Sequence, residues 1–133
     1  MAYKFSDFES IGLQLLQFTG KISSDDVTNA LRYDLHRTDR PASAKIIFDV
    51  GDAVLDFSYE SMNRFVNNRK IDPGRTKLGH MAIVVSNSRN FGIARMYQMI
   101  SEGAGLWEEC RVFNTIDEAR AWLNIPADAN LSL

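Results

Sequence analysis

Hydrophobic residues along the chain follow two different periods, and each period predicts one kind of element. Short runs rich in apolar and β-branched residues are typical of strands, and they predict strands at residues 3–8, 11–19, 44–50, 81–85 and 110–113. Because only a few residues separate the first two runs, we expect these two strands to pair antiparallel.

Apolar residues spaced three and four apart predict four helices, each beginning near a polar residue suited to capping it. The first helix starts near Ser24 and ends before Pro41, because proline cannot continue a helix. The second begins at Ser58, and its flanking Phe57 and Met62 occupy the two positions of a hydrophobic staple.

The third helix follows the polar residues 86–88 and ends near Gly105, a residue type that favours helix C-termini. The fourth begins with the capping box of Thr115 and Glu118. The resulting order is β-β-α-β-α-β-α-β-α. Since strand–helix–strand units make parallel, right-handed crossovers, the sequence predicts a single α/β domain over residues 1–133, a mixed sheet of about five strands with four helices.

The composition is that of an ordinary globular domain, with 133 residues, 45% hydrophobic and 24% charged. A formal net charge of −2 argues against a general nucleic-acid binder. The longest wholly apolar run, residues 81–85, is far shorter than the ~20 residues of a membrane helix. The first ten residues lack the basic and apolar regions of a secretory signal. We therefore expect a cytoplasmic protein without an integral membrane segment.

The sequence carries no recognisable catalytic or metal-binding motif. Cys110 is the only cysteine, which excludes an internal disulfide, and no partner base is evident, so a packing role is favoured. The carboxylates of Asp49, Asp52 and Asp56 could attract a hard cation, but aspartates after a strand commonly form turns. We expect no enzymatic activity, no bound metal and no cofactor.

Four segments of the chain resemble the SpoIIAA-like proteins, small bacterial domains grouped with the STAS superfamily and sometimes labelled STAS/SEC14-like. The segments are FTGKISSDDV at residues 18–27, KIIFDV at 45–50, FGIARMYQMI at 91–100 and RVFNTIDEARAWL at 111–123. The likeness extends over nearly the whole chain. Its motifs are mostly structural, so the resemblance implies a STAS-like fold more directly than it implies a function.

The same resemblance implies a non-catalytic binding or regulatory domain. STAS proteins regulate sigma-factor switches through protein contacts, and the SpoIIAA-like branch is associated with small apolar or lipid-like ligands. The expected partner is therefore another protein or a small apolar molecule. An exposed outer strand leaves a homodimer open as an alternative.

Ser58 has two interpretations. As a helix N-cap it would stabilise the second helix by ~0.5–2 kcal/mol relative to alanine. In the regulatory STAS members, a serine in an Asp-Ser-Ser-Gly turn is phosphorylated, and the resemblance places Asp56 and Ser58 on that aspartate and second serine. Phe57 and Tyr59 replace the first serine and the glycine. The cap is the favoured interpretation, and a phosphorylation-controlled anti-sigma factor antagonist is the alternative function.

An apolar pocket is the first of two candidate ligand sites. Met62, Met96 and Met99, with Phe91 and Tyr97, lie on predicted helix faces and could line an adaptable cavity. The same spacing is also typical of residues that only fill a core.

The loop before the third helix is the second candidate site, since it contains the polar residues Ser88, Arg89 and Asn90. Free amides at a helix start favour an anionic head group, and ligands of open α/β sheets bind outside the carboxyl ends of the strands. The alternative is that these residues only cap and turn the chain.

Overall fold

The computed structural model describes residues 3–23, 25–27, 45–70, 78–105 and 107–126. Seven strands and three helices are assigned within these ranges. The strands are β1 (Tyr3–Phe8), β2 (Leu13–Phe18), β3 (Lys21–Ser23), β4 (Lys45–Gly51), β5 (Val54–Asp56), β6 (Leu78–Val85) and β7 (Trp107–Phe113). The helices are α1 (Tyr59–Lys70), α2 (Ser88–Ala104) and α3 (Ile116–Trp122), and a short 3-10 turn, Glu9–Ile11, joins β1 to β2.

Five strands form the main sheet, in the spatial order β1-β2-β4-β6-β7. β1 pairs antiparallel with β2, and the remaining neighbours are parallel. The predicted antiparallel pair and the mixed sheet are therefore confirmed. The first predicted helix is seen only as a helical turn at residues 25–27, and its remainder lies outside the described residues.

Alternating side chains of the strands divide the core into two layers on opposite faces of the main sheet. One layer, the α1/α2 face, contains Phe48 and Ile83 from the strands and packs against Met62 of α1 and Tyr97 of α2. The other, the α3 face, contains Leu13, Leu15, Ile47, Ala82 and Val84, and packs against Ala119 and Leu123. The period-two pattern of each strand produces this division, because neighbouring residues point to opposite sides.

Hydrogen bonds at the helix starts agree with the predicted caps. Ser58 Oγ accepts from the amide of Ser61 at 3.1 Å, and Asn87 accepts from the amide of Asn90. Thr115 Oγ1 accepts from the amide of Glu118 at 3.2 Å. At the other end of α2, Gly105 has φ 65°, the left-handed conformation expected of a helix C-terminus.

A second, two-stranded sheet is absent from the sequence-based prediction. In it β3 pairs parallel with β5. Each strand has three residues, too few for a period to be recognised. The sequence around Ser23 instead indicates a helix start, which is also correct: Ser23 Oγ accepts from the amide of Asp26, and Asp26 accepts from the amide of Ser23. Ser23 therefore ends a strand and caps a helical turn.

Candidate functional site

A cavity of about 40 Å³ lies between the α1/α2 face of the main sheet, the two helices and the small sheet. All of its lining residues are hydrophobic or aromatic. They are Phe18, Ile22, Val27, Phe48, Val50, Leu55, Phe57, Met62, Met81, Ile83, Ile93, Ala94 and Tyr97. A pocket without charged or amide side chains in its walls favours an apolar occupant, because it offers no compensation for a desolvated polar group.

The floor of the cavity is the main sheet. The rings of Phe18 on β2 and Phe48 on β4 meet edge to face, with centroids 5.5 Å apart. Met81 on β6 adds a flexible thioether that is 1% exposed. Aromatic contacts of this geometry hold the two rings in place, whereas methionine can adapt its shape to a neighbour. The floor is therefore rigid on one side and adaptable on the other.

The side walls come from the helices. Met62 of α1 and Tyr97 of α2 are both buried, and Phe57, which precedes α1, is half-buried beside them. Phe57 and Met62 are the predicted staple residues, and both line the cavity. The staple that fixes how the chain enters α1 therefore also shapes the cavity wall.

The small sheet forms another side of the cavity. Ile22 of β3 is 0% exposed and Leu55 of β5 is 5% exposed, and both side chains line the cavity. On α2, the buried side chain of Asn90 accepts from the amide of Leu55 at 3.2 Å and donates to the carbonyl of Ala53 at 2.6 Å. This side chain joins the first turn of α2 to the segment containing β5.

Five of the seven predicted ligand residues fall into three groups in the structure. Met62 and Tyr97 line the cavity, and Asn90 lies beside it with its side chain bonded to backbone. Ser88 and Arg89 are exposed in the first turn of α2. None of the three polar residues lines the cavity. A ligand contact for any of them stays a prediction.

Phe91, Met96 and Met99, which helical spacing grouped with the pocket residues, are not among the residues that line the cavity. Phe91 is 36% exposed. Met96 lines a separate, open groove of about 600 Å³ between α1 and α2. The most exposed apolar side chains of that groove are Tyr59 (61%) and Met99 (65%). The cavity and the groove thus lie against the same two helices. Helical spacing alone could not show which methionine lines the cavity and which lines the groove.

Sequence reasoning missed the strand residues of the cavity. Phe18 and Phe48 belong to strands that were predicted correctly, but nothing in their pattern separates a cavity wall from a filled core. Ile22 is a single apolar residue between Lys21 and Ser23, Leu55 ends a three-residue apolar run, and the small sheet that presents them was not predicted. A glycine stands at the end of each of these strands, Gly20 shortly after β2 and Gly51 as the last residue of β4, and it is a sequence signal for a change of strand direction.

Ser58 is exposed and takes part in a local cap. Its Oγ accepts from the amide of Ser61, and the Oγ of Ser61 accepts from the amide of Ser58 at 3.1 Å. This reciprocal pair is the geometry of a capping box, with serine in the place of glutamate. The capping interpretation is confirmed; phosphorylation of Ser58 stays a prediction.

The three aspartates that suggested a cation site have separate partners. Asp52 Oδ1 accepts from Ser86 Oγ at 3.2 Å, and Asp56 pairs with Lys21 at 3.5 Å. Burial raises the pKa of Asp49 above its ordinary value, while hydrogen bonds from Gly51 and Gln17 act in the opposite direction. Within the described ranges, no three His, Cys, Asp or Glu side chains come together as metal ligands.

Cys110 is 2% exposed. Burial raises the pKa of its thiol to about 12, although a hydrogen bond with Ser101 acts in the opposite direction. A thiol with such a pKa is protonated at neutral pH and is a poor nucleophile. The geometry therefore fits the predicted packing role.

No helix in the described part of the chain has the length and apolarity needed to cross a bilayer.

Comparison with known proteins agrees with the fold. A search of curated proteins finds no match. Among solved structures, the chain is similar to an uncharacterized protein of the DUF3478 family from Shewanella loihica PV-4, which has a SpoIIAA-like fold. That similarity has a TM-score of 0.57 and 13% sequence identity, and covers 92% of both chains. The sequence profile of the SpoIIAA-like family matches residues 15–124. The chain belongs to the SpoIIAA-like family.

Proposed function

We propose that this protein is a non-catalytic binding domain that holds a small apolar ligand, or the apolar part of a lipid-like ligand, in the cavity under the small sheet. Domains of the SpoIIAA-like type are small regulatory or binding modules and are generally non-enzymatic. The observation that carries the proposal is the lining of the cavity, which is apolar on its sheet, helix and small-sheet walls alike.

The energetic basis is the transfer of apolar surface out of water, worth about 25 cal/mol for each Å² that the ligand buries. Apolar cavities in proteins remain dry and accept nonpolar guests such as benzene or xenon. Met62 and Met81 give the walls the adaptability that guests of different shape require. A charged or strongly polar ligand would lose its hydration without gaining partners in this lining.

Native mass spectrometry after gentle purification tests the proposal, followed by thermal unfolding with xenon, benzene and a panel of fatty acids. We expect at least one apolar compound to co-purify or to raise the melting temperature in a concentration-dependent way. The variant Met99→Ala is the matched control, because it removes an exposed methionine of the groove and leaves the cavity lining intact. The proposal is wrong if no compound binds, or if Met99→Ala abolishes the binding.

A further inference from the structure

We propose that β7 is the contact strand of a symmetric homodimer. Two copies of this chain pair their β7 strands antiparallel, with the two-fold axis at Cys110, so that Glu109 of each copy lies opposite Arg111 of the other. The inference goes beyond the proposed function, because it concerns a protein partner and holds whether or not the cavity binds a ligand.

The first observation is that β7 lies at the outer edge of the main sheet. It pairs with β6 on one side, and no strand in the described part of the chain pairs with it on the other. The open edge of a strand presents backbone N–H and C=O groups that pair readily with a further strand. The occupant that fits such an edge is therefore a strand of another chain.

An open depression runs along this edge. It has a volume of about 590 Å³, and it lies between α2 and residues 109–112 of β7. Neighbouring residues of a strand point to opposite faces of a sheet, so a depression bordered by consecutive residues reaches the backbone edge between the two faces. The outer side of β7 is thus open to a second strand.

The charges of β7 are complementary to their own reversed order. The side chains of Glu109 and Arg111 are 50% and 56% exposed, and they lie on the same face because the residues are two positions apart. A two-fold axis perpendicular to the sheet keeps each face on its own side. With that axis at Cys110, both contacts between the charged residues of the two copies join a carboxylate to a guanidinium. Opposite charges in such cross-strand pairs are stabilising, and like charges are destabilising.

The same charges select a single register. If the axis passes through Glu109 or through Arg111, that residue lies opposite its own copy, and two like charges meet. Only the axis at Cys110 places both residues opposite a residue of the other sign. Charged residues commonly protect a sheet edge from pairing. Here their order excludes the wrong registers and favours one.

The other edge of the main sheet does not have this property. β1 carries Lys4 and Asp7, which are exposed and opposite in charge. These residues are three positions apart, so their side chains lie on opposite faces of the sheet. No symmetric antiparallel register can place one opposite the other. The comparison favours β7 as the edge that pairs with its own copy.

α2 supplies a second row of charges beside β7. Arg95 Nη1 donates to Gln98 Oε1 at 2.9 Å, and Gln98 Nε2 donates to Glu102 Oε1 at 3.1 Å. All three side chains border the depression. The two-fold axis reverses the direction of α2 in the second copy, so the positive end of one row faces towards the negative end of the other. The helices therefore repeat the charge complementarity of the strands.

Sedimentation velocity from about 1 µM to about 1 mM, a range that spans weak to moderate affinities, tests the proposal. We expect the wild type to show a monomer–dimer equilibrium. Glu109→Arg and Arg111→Glu each place like charges opposite each other at two points of the dimer, so each should weaken it at least about tenfold. The double variant Glu109→Arg/Arg111→Glu exchanges the charges, restores both pairs and should dimerise as the wild type does.

Lys4→Glu is the matched control, because it makes the same change of charge as Arg111→Glu on the other edge strand. It should leave the dimer unchanged. Three results overturn the proposal: a wild type that is monomeric over the whole range, single variants that dimerise as strongly as the wild type, or a double variant that keeps the wild-type unfolding transition but does not regain the dimer.

Hydrogen exchange of the wild type supplies a measurement that needs no variant. Raising the protein concentration over the same range should slow exchange at the amides of β7 that point away from β6, because they become bonded to the second copy. Exchange at the amides of β1 should not change. Slower exchange at β1 or at another surface in place of β7 overturns the proposal.

Discussion

The two faces of the main sheet are covered by helices in different ways. On the α3 face, Ala82 of β6 and Ala119 of α3 are both 0% exposed. On the α1/α2 face, α2 also presents a small residue, Ala94, but Met62 of α1 and Phe48 and Met81 of the strands are long. Small residues allow a helix to approach a sheet closely, whereas long side chains hold it further away.

The edges of the two layers differ as well. At the rim of the α3 face, the ring centres of Trp122 and Phe113 lie 5.6 Å apart, and the guanidinium carbon of Arg111 lies 5.5 Å from the centre of the Trp122 ring. At the rim of the α1/α2 face, the cover is the small sheet, whose strands follow β2 and β4 after Gly20 and Gly51. The rim of the α3 face is therefore formed by ring and guanidinium contacts of β7 with α3, whereas the rim of the α1/α2 face is formed by a separate two-stranded sheet. The proposed ligand site lies on the α1/α2 face, and we expect the α3 face to be the more tightly packed of the two.

Enlarging a small residue on the α3 face is the most direct test of whether the two faces differ in packing. Ala82→Val adds two methyl-sized groups where Ala82 is fully buried and faces the α3 layer. Overpacking of a filled core costs ~1–3 kcal/mol, so we expect the free energy of unfolding to fall by that amount. Chemical denaturation measures it, and an unchanged midpoint would show that the α3 face also has free space.

Removing the cap of α1 tests the role of Ser58. We expect Ser58→Ala to lower the free energy of unfolding by about 1 kcal/mol, because the amide of Ser61 loses its acceptor. Thr115→Ala, the matched change at the start of α3, should cost a similar amount. Denaturation of both variants checks this, and apolar ligand binding should persist in each. A loss of binding in Ser58→Ala alone would favour a functional role for Ser58 beyond capping.

Filling the cavity should raise the free energy of unfolding, whereas overpacking the α3 face should lower it. Val50→Ile adds one methylene beside the cavity, and burying a methylene is worth about 0.8 kcal/mol, so we expect the variant to be slightly more stable than the wild type. It should also weaken the response of the melting temperature to benzene. If Val50→Ile destabilises the protein as Ala82→Val does, the two faces do not differ in their packing.

The smallest expected effect concerns Asp49, on the α3 face near the end of β4. Burial raises its folded pKa above 3.8. The folded state therefore binds the proton of Asp49 more tightly than the unfolded state does. This difference contributes fully to the free energy of unfolding below pH ~4, and the contribution is lost as the pH rises through the folded pKa. Asp49→Asn cannot lose this proton, so its stability relative to wild type should increase over the same range. Denaturation midpoints from pH 3 to 7 check the trend, and an opposite slope would contradict the assigned cause.

The hydrophobic period and the helix-capping residues were sufficient to predict the main strands and the helix starts. Residues 3–8 were predicted as β1 with the observed bounds, and the caps of α1 and α3 were predicted from Ser58 and from Thr115 with Glu118. These features depend on neighbours in the sequence, so the sequence pattern contains them. The family resemblance, carried by the segments 91–100 and 111–123, agrees with the profile match.

The candidate site could be predicted only in part, because it depends on distances between elements. Helical spacing grouped Met62 with Met96, but one lines the cavity and the other the groove. Asn90 was predicted as a polar loop residue, whereas its side chain turns inward to hold β5. The space under the small sheet lies where β3 and β5 leave the main sheet, and two three-residue strands have no period that reveals them.

Four methionines allow the central claim to be tested in one experiment. Met62 and Met81 line the cavity, and Met96 and Met99 line the groove. In a benzene titration of protein labelled with carbon-13 at the methionine methyl groups, binding in the cavity predicts saturable shifts of the Met62 and Met81 signals and little change at Met99. Shifts confined to Met96 and Met99, or no saturable shift at all, would contradict a ligand site under the small sheet.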